Sequence, residues 1–255
     1  MNNFDKVINR KNTNCIKWDI DKEDVIPMWV ADMDFEAPEP IIEILKEKVE
    51  HKIYGYGLIP KEYYQAEIDW WEKKFLYKIE KEWISPTIGV IPAISAVIQS
   101  FSNAGDNIIL LSPVYSHFIE IIENNDRNVI YSELEYEDKY EINYVDFEKK
   151  IIQNEVKIFI LCNPHNPIGQ IWSKEELEKL VKICERNEVL ILSDEIHRDI
   201  VYSPYKHIPL ISLGEEAQEI SITFTAPSKT FNLAGLKVAN IITVNENLKK
   251  ILEGK

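Results

Sequence analysis

From about residue 107 onward the chain alternates short, continuous apolar runs with longer stretches of helical periodicity. Residues 107–111 form one run, ending at Ser112-Pro113. Residues 156–162 form a second, ending at Asn163-Pro164, and residues 189–193 a third, ending at Asp194-Glu195. Runs at 221–224 and 238–244 follow. Apolar runs of this length, bounded by turn residues, predict strands buried on both faces. Between them, residues 93–102, 117–124 and 174–187 carry helical patterns. The last opens on Ser173-Lys174-Glu175-Glu176, a capping-box arrangement. Strands alternating with helices predict a three-layer α/β/α fold around a mostly parallel sheet. Ligands of such sheets bind beyond the carboxyl ends of the strands, where the polar clusters of this chain fall. Residues 1–85 differ: rich in Trp, Tyr and charge, they predict an arm and helices ahead of a main domain over 86–255.

Composition narrows the partners. A chain of 255 residues with 45% hydrophobic and 28% charged residues is an ordinary globular sequence. Its formal net charge of -14 argues against nucleic acid or an anionic membrane surface. An anionic cofactor therefore needs a locally built site. No signal-peptide pattern and no bilayer-length apolar run is seen, and the three cysteines, Cys15, Cys162 and Cys184, have neither disulfide nor zinc spacing. These features suggest a cytoplasmic protein that binds no metal.

The strand ends carry distinct chemistry. Lys229 lies just past the run at 221–224, in Ala226-Pro227-Ser228-Lys229-Thr230-Phe231-Asn232-Leu233-Ala234-Gly235-Leu236-Lys237. Poor solvation there favours its neutral, nucleophilic amine. The neighbouring hydroxyls and Lys237 suit an anion. An amine beside an anion site matches the aldehyde and phosphate of pyridoxal 5'-phosphate. The alternative is a strand-end lysine that simply reaches water. Asp194 could pair with a protonated pyridine nitrogen or cap a helix. Asn163-Pro164-His165-Asn166-Pro167-Ile168-Gly169 is either a rigid turn that presents an amide or a turn with no ligand. Gly89-Val90-Ile91-Pro92 opens a helix whose free N–H groups suit a phosphate, or is an ordinary helix start. Tyr115 could stack on a planar ring or line the core. His197 could face the same cavity or be structural. Tyr54-Gly55-Tyr56-Gly57 could reach a phosphate or be a plain turn.

Taken together, these segments resemble the fold type I superfamily of pyridoxal-phosphate aminotransferases. More narrowly, they resemble the cystathionine β-lyase branch, the PatB/MalY-like C–S lyases. The Lys229 motif and the Asn-Pro turn mark the superfamily. Met28-Trp29-Val30-Ala31-Asp32-Met33-Asp34-Phe35 and His197 favour the lyase branch.

The resemblance implies roles. Lys229 would hold the cofactor covalently, Asp194 would pair with its pyridine nitrogen, and Asn166 would donate to its phenolate oxygen. Tyr115 would stack on the ring. Val90 and Ile91 N–H groups, Ser228 and Lys237 would lie near the phosphate. Tyr56, or less favourably Tyr54, would come from the second subunit of a homodimer. Ala226 stands where the superfamily often has a hydroxyl. Relatives continue into a smaller C-terminal domain that carries an arginine for the substrate carboxylate. None of Arg10, Arg127, Arg186 and Arg198 matches it, so the main domain is expected to be incomplete and the activity impaired. The expected reaction is β-elimination from an amino-acid substrate, a cysteine S-conjugate such as L-cystathionine. The alternatives are an aminotransferase on the same scaffold and a non-catalytic fragment.

Overall fold

The computed structural model describes residues 4–20 and 24–254. A seven-stranded sheet with order β1-β9-β8-β7-β6-β2-β3 forms its centre. Its strands are β1 (Ile84–Thr87), β2 (Asn107–Ser112), β3 (Asn128–Glu133), β6 (Ile158–Cys162), β7 (Leu190–Asp194), β8 (Ser221–Thr225) and β9 (Ala239–Ile242). A small hairpin, β4 (Glu135–Tyr136) and β5 (Tyr140–Glu141), stands apart. Pairings β3-β2, β2-β6, β6-β7 and β7-β8 are parallel, whereas β9 is antiparallel to both β8 and β1. Only β9 therefore runs against the rest of this sheet, and the α/β/α expectation is met.

The helices are α1 (Ile16–Asp19), α2 (Glu39–His51), α3 (Lys61–Phe75), α4 (Val90–Phe101), α5 (Ser116–Glu123), α6 (Tyr144–Gln153), α7 (Lys174–Arg186), α8 (Glu215–Glu219), α9 (Pro227–Thr230) and α10 (Glu246–Leu252). Alternate strand residues point to opposite faces. Ile108, Leu110, Ile158, Ile160 and Leu192 pack with Val97 and Ile98 of α4 and Phe118 of α5. Ile109, Leu111, Phe159, Leu161 and Ile191 pack with Phe147 of α6 and Leu177 and Leu180 of α7. Burial on both faces is why these strands read as unbroken apolar runs. Trp172, fully buried, closes the second layer and donates from Nε1 to the carbonyl of Cys162 at 3.1 Å. The capping box on α7 is formed in both directions: Glu176 N to Ser173 Oγ at 3.2 Å and Ser173 N to Glu176 Oε2 at 2.8 Å.

Among the elements not anticipated from the pattern are β1, β3 and α6. β1 and β3 are edge strands with only partial burial, and α6 carries four charged residues in ten. The division expected at 85/86 falls inside β1, whose Ile84 is buried against Trp71 of α3, Ile79 and Ile242. The sheet thus reaches back to Ile84. β6 starts at Ile158, because the Val156 N–H closes the preceding turn on the Ile151 carbonyl.

Parallel register gathers the strand ends. Cys162 is level with Asp194, and Asp194 with Phe224. Thr225 is level with Asn240, which pairs with Pro86. The segments that follow β1, β2, β6, β7 and β8, and the one that enters β9, therefore share one sheet edge. Trp172→Ala should destabilise the fold by about 3–5 kcal/mol, against about 1 kcal/mol for Ser173→Ala. Denaturant midpoints of the two variants check this; equal losses would mean that packing on the second face matters no more than one helix cap.

Candidate active site

Asp194 ends β7 with its side chain buried, 5% exposed. Among the described residues, the one hydrogen bond its carboxylate is seen to accept comes from the Ile196 N–H, to Oδ1 at 3.0 Å. Burial pushes its pKa up to about 7; the Glu195 charge adds to the rise, while the Ile196 N–H and the Lys229 charge oppose it. A buried carboxylate without a bonded cation is costly. A protonated ring nitrogen is the kind of partner that would relieve this cost, so the site fits a pyridinium.

Lys229 lies in α9, just past β8, and is half-buried. Burial lowers its pKa, against the attraction of Asp32 and Asp194. Its Nζ donates to the Ala31 carbonyl at 2.9 Å. His197, on the turn after β7, has its pKa lowered to about 4 by burial and then by the Lys229 charge. The Lys229 charge thus acts on both the carboxylate and the imidazole.

Tyr115 caps α5 at the end of β2 and is half-buried. Burial raises its pKa, with the charge of Asp194 next in effect. Its ring stacks on His117 at 4.9 Å between centroids and meets Phe118 edge-on at 5.6 Å. Asn166 sits in the turn after β6, its N–H directed to Cys162 Sγ at 3.4 Å. The turn closes through His165 N to Gln170 O at 2.7 Å and Gly169 N to His165 O at 2.8 Å. Gly169 has φ +69°, a conformation that costs a side-chain-bearing residue more. Val90 and Ile91 form the first turn of α4, beyond β1. Ser228 is in α9, and Lys237 is exposed just before β9. Ala226, buried, is the N-cap of α9 and supplies no side-chain cap. Tyr56 is fully exposed and is not brought to this edge within the chain, while Tyr54 donates to Val49 O at 3.3 Å.

Several supporting groups escape a reading of motifs. The arm stretch through Asp34 docks on the lysine segment. Arg10 bonds Asp32 at 2.7 Å and Asp34 at 2.8 Å, Lys17 bonds Asp34 at 2.6 Å, and Asn232 donates to Met33 O at 3.0 Å. Glu195 is fully buried, bonded to His207 Nε2 at 2.8 Å and to Leu210 N at 2.9 Å. Arg198 bonds Glu67 of α3 at 2.8 Å and lies over the Trp71 ring at 4.7 Å. The other arginines are also engaged: Arg127 with Ser102 and Asn125, and Arg186 with Glu148. Apart from Arg127 with Asn125, these ties join residues twelve or more apart in sequence, so no local signal announces them.

Taken together, the sheet order, the covered faces and a lysine beside a buried carboxylate at the strand ends define an α/β protein of the transferase large-domain type. The chain belongs to the class I and II aminotransferase family, whose model it matches over residues 23–254. Cystathionine beta-lyase PatB of Bacillus subtilis (strain 168) is 42% identical over 254 residues, which cover 97% of this chain and 65% of that protein. Protein MalY of Escherichia coli (strain K12) is 32% identical, with 97% and 64% covered. The structure is similar to that of cystalysin from Treponema denticola, which contains pyridoxal 5'-phosphate: the TM-score is 0.94 at 35% identity, with 99% of this chain and 66% of that chain covered. The chain thus spans about two thirds of the length of these relatives. Among the described residues no helix is long and apolar enough to cross a membrane.

The raised Asp194 pKa has a stability consequence. Between its ordinary 3.8 and about 7 the folded chain keeps a proton that the unfolded chain has released. The contribution of this group to stability therefore falls as pH rises through that window. In cofactor-free protein, Asp194→Asn should match the wild type near pH 4 and exceed it by roughly 2–4 kcal/mol at pH 8. Denaturant midpoints against pH check this; a difference independent of pH would mean that Asp194 is already ionised in the acid range.

Proposed function

We propose that this chain carries the cofactor-binding part of a pyridoxal-5'-phosphate-dependent C–S lyase. The reaction is β-elimination of cysteine S-conjugates such as L-cystathionine to thiol, pyruvate and ammonia. The observation that carries the reading is Lys229, its pKa lowered by burial, within electrostatic reach of buried Asp194, whose carboxylate is seen among the described residues to accept one backbone N–H. The relatives named as cystathionine β-lyases support the substrate class.

In this reading Lys229 Nζ holds the cofactor, and Asp194 holds the proton on its ring nitrogen. Asn166 donates to the phenolic oxygen, and Tyr115 with His197 packs around the ring. Val90 and Ile91 N–H groups, Ser228 and Lys237 face the phosphate. The bound cofactor supplies an electron sink for the substrate's α-carbon. Lys229 Nζ would be the group that accepts the α-proton of a bound substrate, and burial lowers its pKa in the direction that favours this role. Tyr56, beside exposed Tyr54, Leu58 and Ile59, serves the site of a second copy in a homodimer. The cytoplasmic reading rests on three free cysteines. The family description favours amino transfer as the second reading.

Protein incubated with pyridoxal 5'-phosphate and then borohydride should carry the cofactor on Lys229, located by peptide mass spectrometry. Pyruvate release from L-cystathionine should fall by at least about 10²–10⁴-fold in Lys229→Ala. Fixation on another lysine, or unchanged turnover in that variant, would sink the proposal. Amino transfer to a keto acid without pyruvate would select the second reading.

A further inference from the structure

Lys229 is the third residue of α9, a helix of a single turn. One turn closes almost no hydrogen bonds of its own, so the surroundings set its shape. Thr225 Oγ1, before the lysine, donates to Glu67 Oε1 at 3.2 Å. Thr230 Oγ1, immediately after it, donates to Asp199 Oδ2 at 2.9 Å. Phe231 then meets Trp70 edge-on at 5.5 Å. The other oxygen of Asp199, Oδ1, accepts from Trp70 Nε1 at 2.9 Å. One carboxylate, 6% exposed at its side chain, therefore joins α3 to the residue that follows the lysine. A cavity of about 220 Å³ lined by Trp70, Asp199, Ala226, Pro227 and Phe231 lies beside this joint, giving the turn space to shift once the tie is cut.

We infer that Asp199 is a positioning residue: through Thr230 Oγ1 it holds the α9 turn so that Lys229 Nζ stays in the gap between Asp194, His197 and the arm. The inference rests on Lys229 being the reactive amine of the proposed function. It concerns geometry and not charge. The charges that act on Lys229 are those of Asp32 from the arm and Asp194 from β7, while the Lys229 charge in turn acts on His197 of the turn after β7. Asp199 is not one of these. The two modes of action predict opposite signs. A slackened turn lets the amine reach water and raises its pKa toward the ordinary lysine value. Loss of a bare carboxylate charge would lower it.

The test is competitive acetylation of amines across pH, with the Lys229 peptide followed by mass spectrometry, on protein without cofactor. Asp199→Ala and Thr230→Val should each raise the Lys229 midpoint by about one pH unit. The double variant should go no further than the larger single, because both cut one link. Asp199→Asn, which can still bond Thr230 and Trp70, and Thr230→Ser should stay at the wild-type midpoint. With pyridoxal 5'-phosphate added, borohydride fixation on Lys229 should slow by up to about 100-fold in the two disrupting variants alone. Unchanged or lowered midpoints in Asp199→Ala and Thr230→Val, or additive shifts, would overturn the inference. If Asp199→Ala does not fold, the Thr230 pair carries the same comparison. Failure of wild-type protein to fix the cofactor, with the midpoint shifts intact, would remove the cofactor reading and leave the positioning role standing.

Discussion

The rest of the site depends on the burial of one carboxylate without a bonded cation. Asp194 sits at the end of a central strand, covered by neighbours on both sides, and among the described residues one backbone N–H is seen to serve it. Desolvation of that group works against folding at neutral pH, so the structure around it must be stable for other reasons. It is: β6 and β8 flank β7 in parallel register, and both of its faces are packed. A sheet edge alone would let solvent reach Asp194 and bring its pKa back to the ordinary range. The packed layers therefore generate the chemistry as well as the stability.

The next residue, Glu195, shows the opposite solution to the same problem. It is at least as deeply buried, yet His207 and the Leu210 N–H satisfy it. Two adjacent carboxylates at the end of β7 thus have different fates: one is bound into the scaffold and one accepts a single backbone N–H among the described residues. Arg198, two residues past Ile196, is likewise consumed by Glu67 and by the rings of Trp71 and Phe75. The scaffold engages Glu195 and Arg198, whereas the ionised form of Asp194 is favoured, among the described residues, by the Ile196 N–H and the charge of Lys229.

How much of this is legible in the sequence follows from how local each feature is. Strands β2, β6 and β7 declare themselves because burial on both faces demands continuous apolar runs, and β8 and β9 read as strands through Ile222, Phe224, Ile241 and Ile242 although Ser221, Thr223, Thr225 and Asn240 interrupt them. β1 carries Pro86 and polar neighbours and β3 is half exposed, so neither has such a run. Most of the expected site residues follow strands: parallel register sets the segments of Tyr115, Asn166, Asp194, His197, Ser228 and Lys229 at one edge, and antiparallel β9 adds Lys237 before it and, through β1, Val90 and Ile91. Tyr56 has no such strand to place it. Glu67, Asp199 and His207 are illegible for a different reason. Each acts through a partner chosen by tertiary packing, as in Arg198 with Glu67 at a separation of 131 residues.

The contact between the arm and the lysine bears on reactivity. Lys229 Nζ donates to the Ala31 carbonyl, and Ala31 is held in place by its neighbours, with Asp32 bonded to Arg10 and the Asp32 carbonyl bonded to Lys17. A carbonyl can only accept, so it engages an N–H of the amine and never its lone pair. A neutral Lys229 can keep this bond and still present its lone pair elsewhere, whereas a protonated one has no lone pair to present. Orientation thus comes from the arm, and the protonation state comes from burial against the pull of Asp32 and Asp194. The two controls act on different parts of the same nitrogen, which is why the arm can cover the lysine without quenching it.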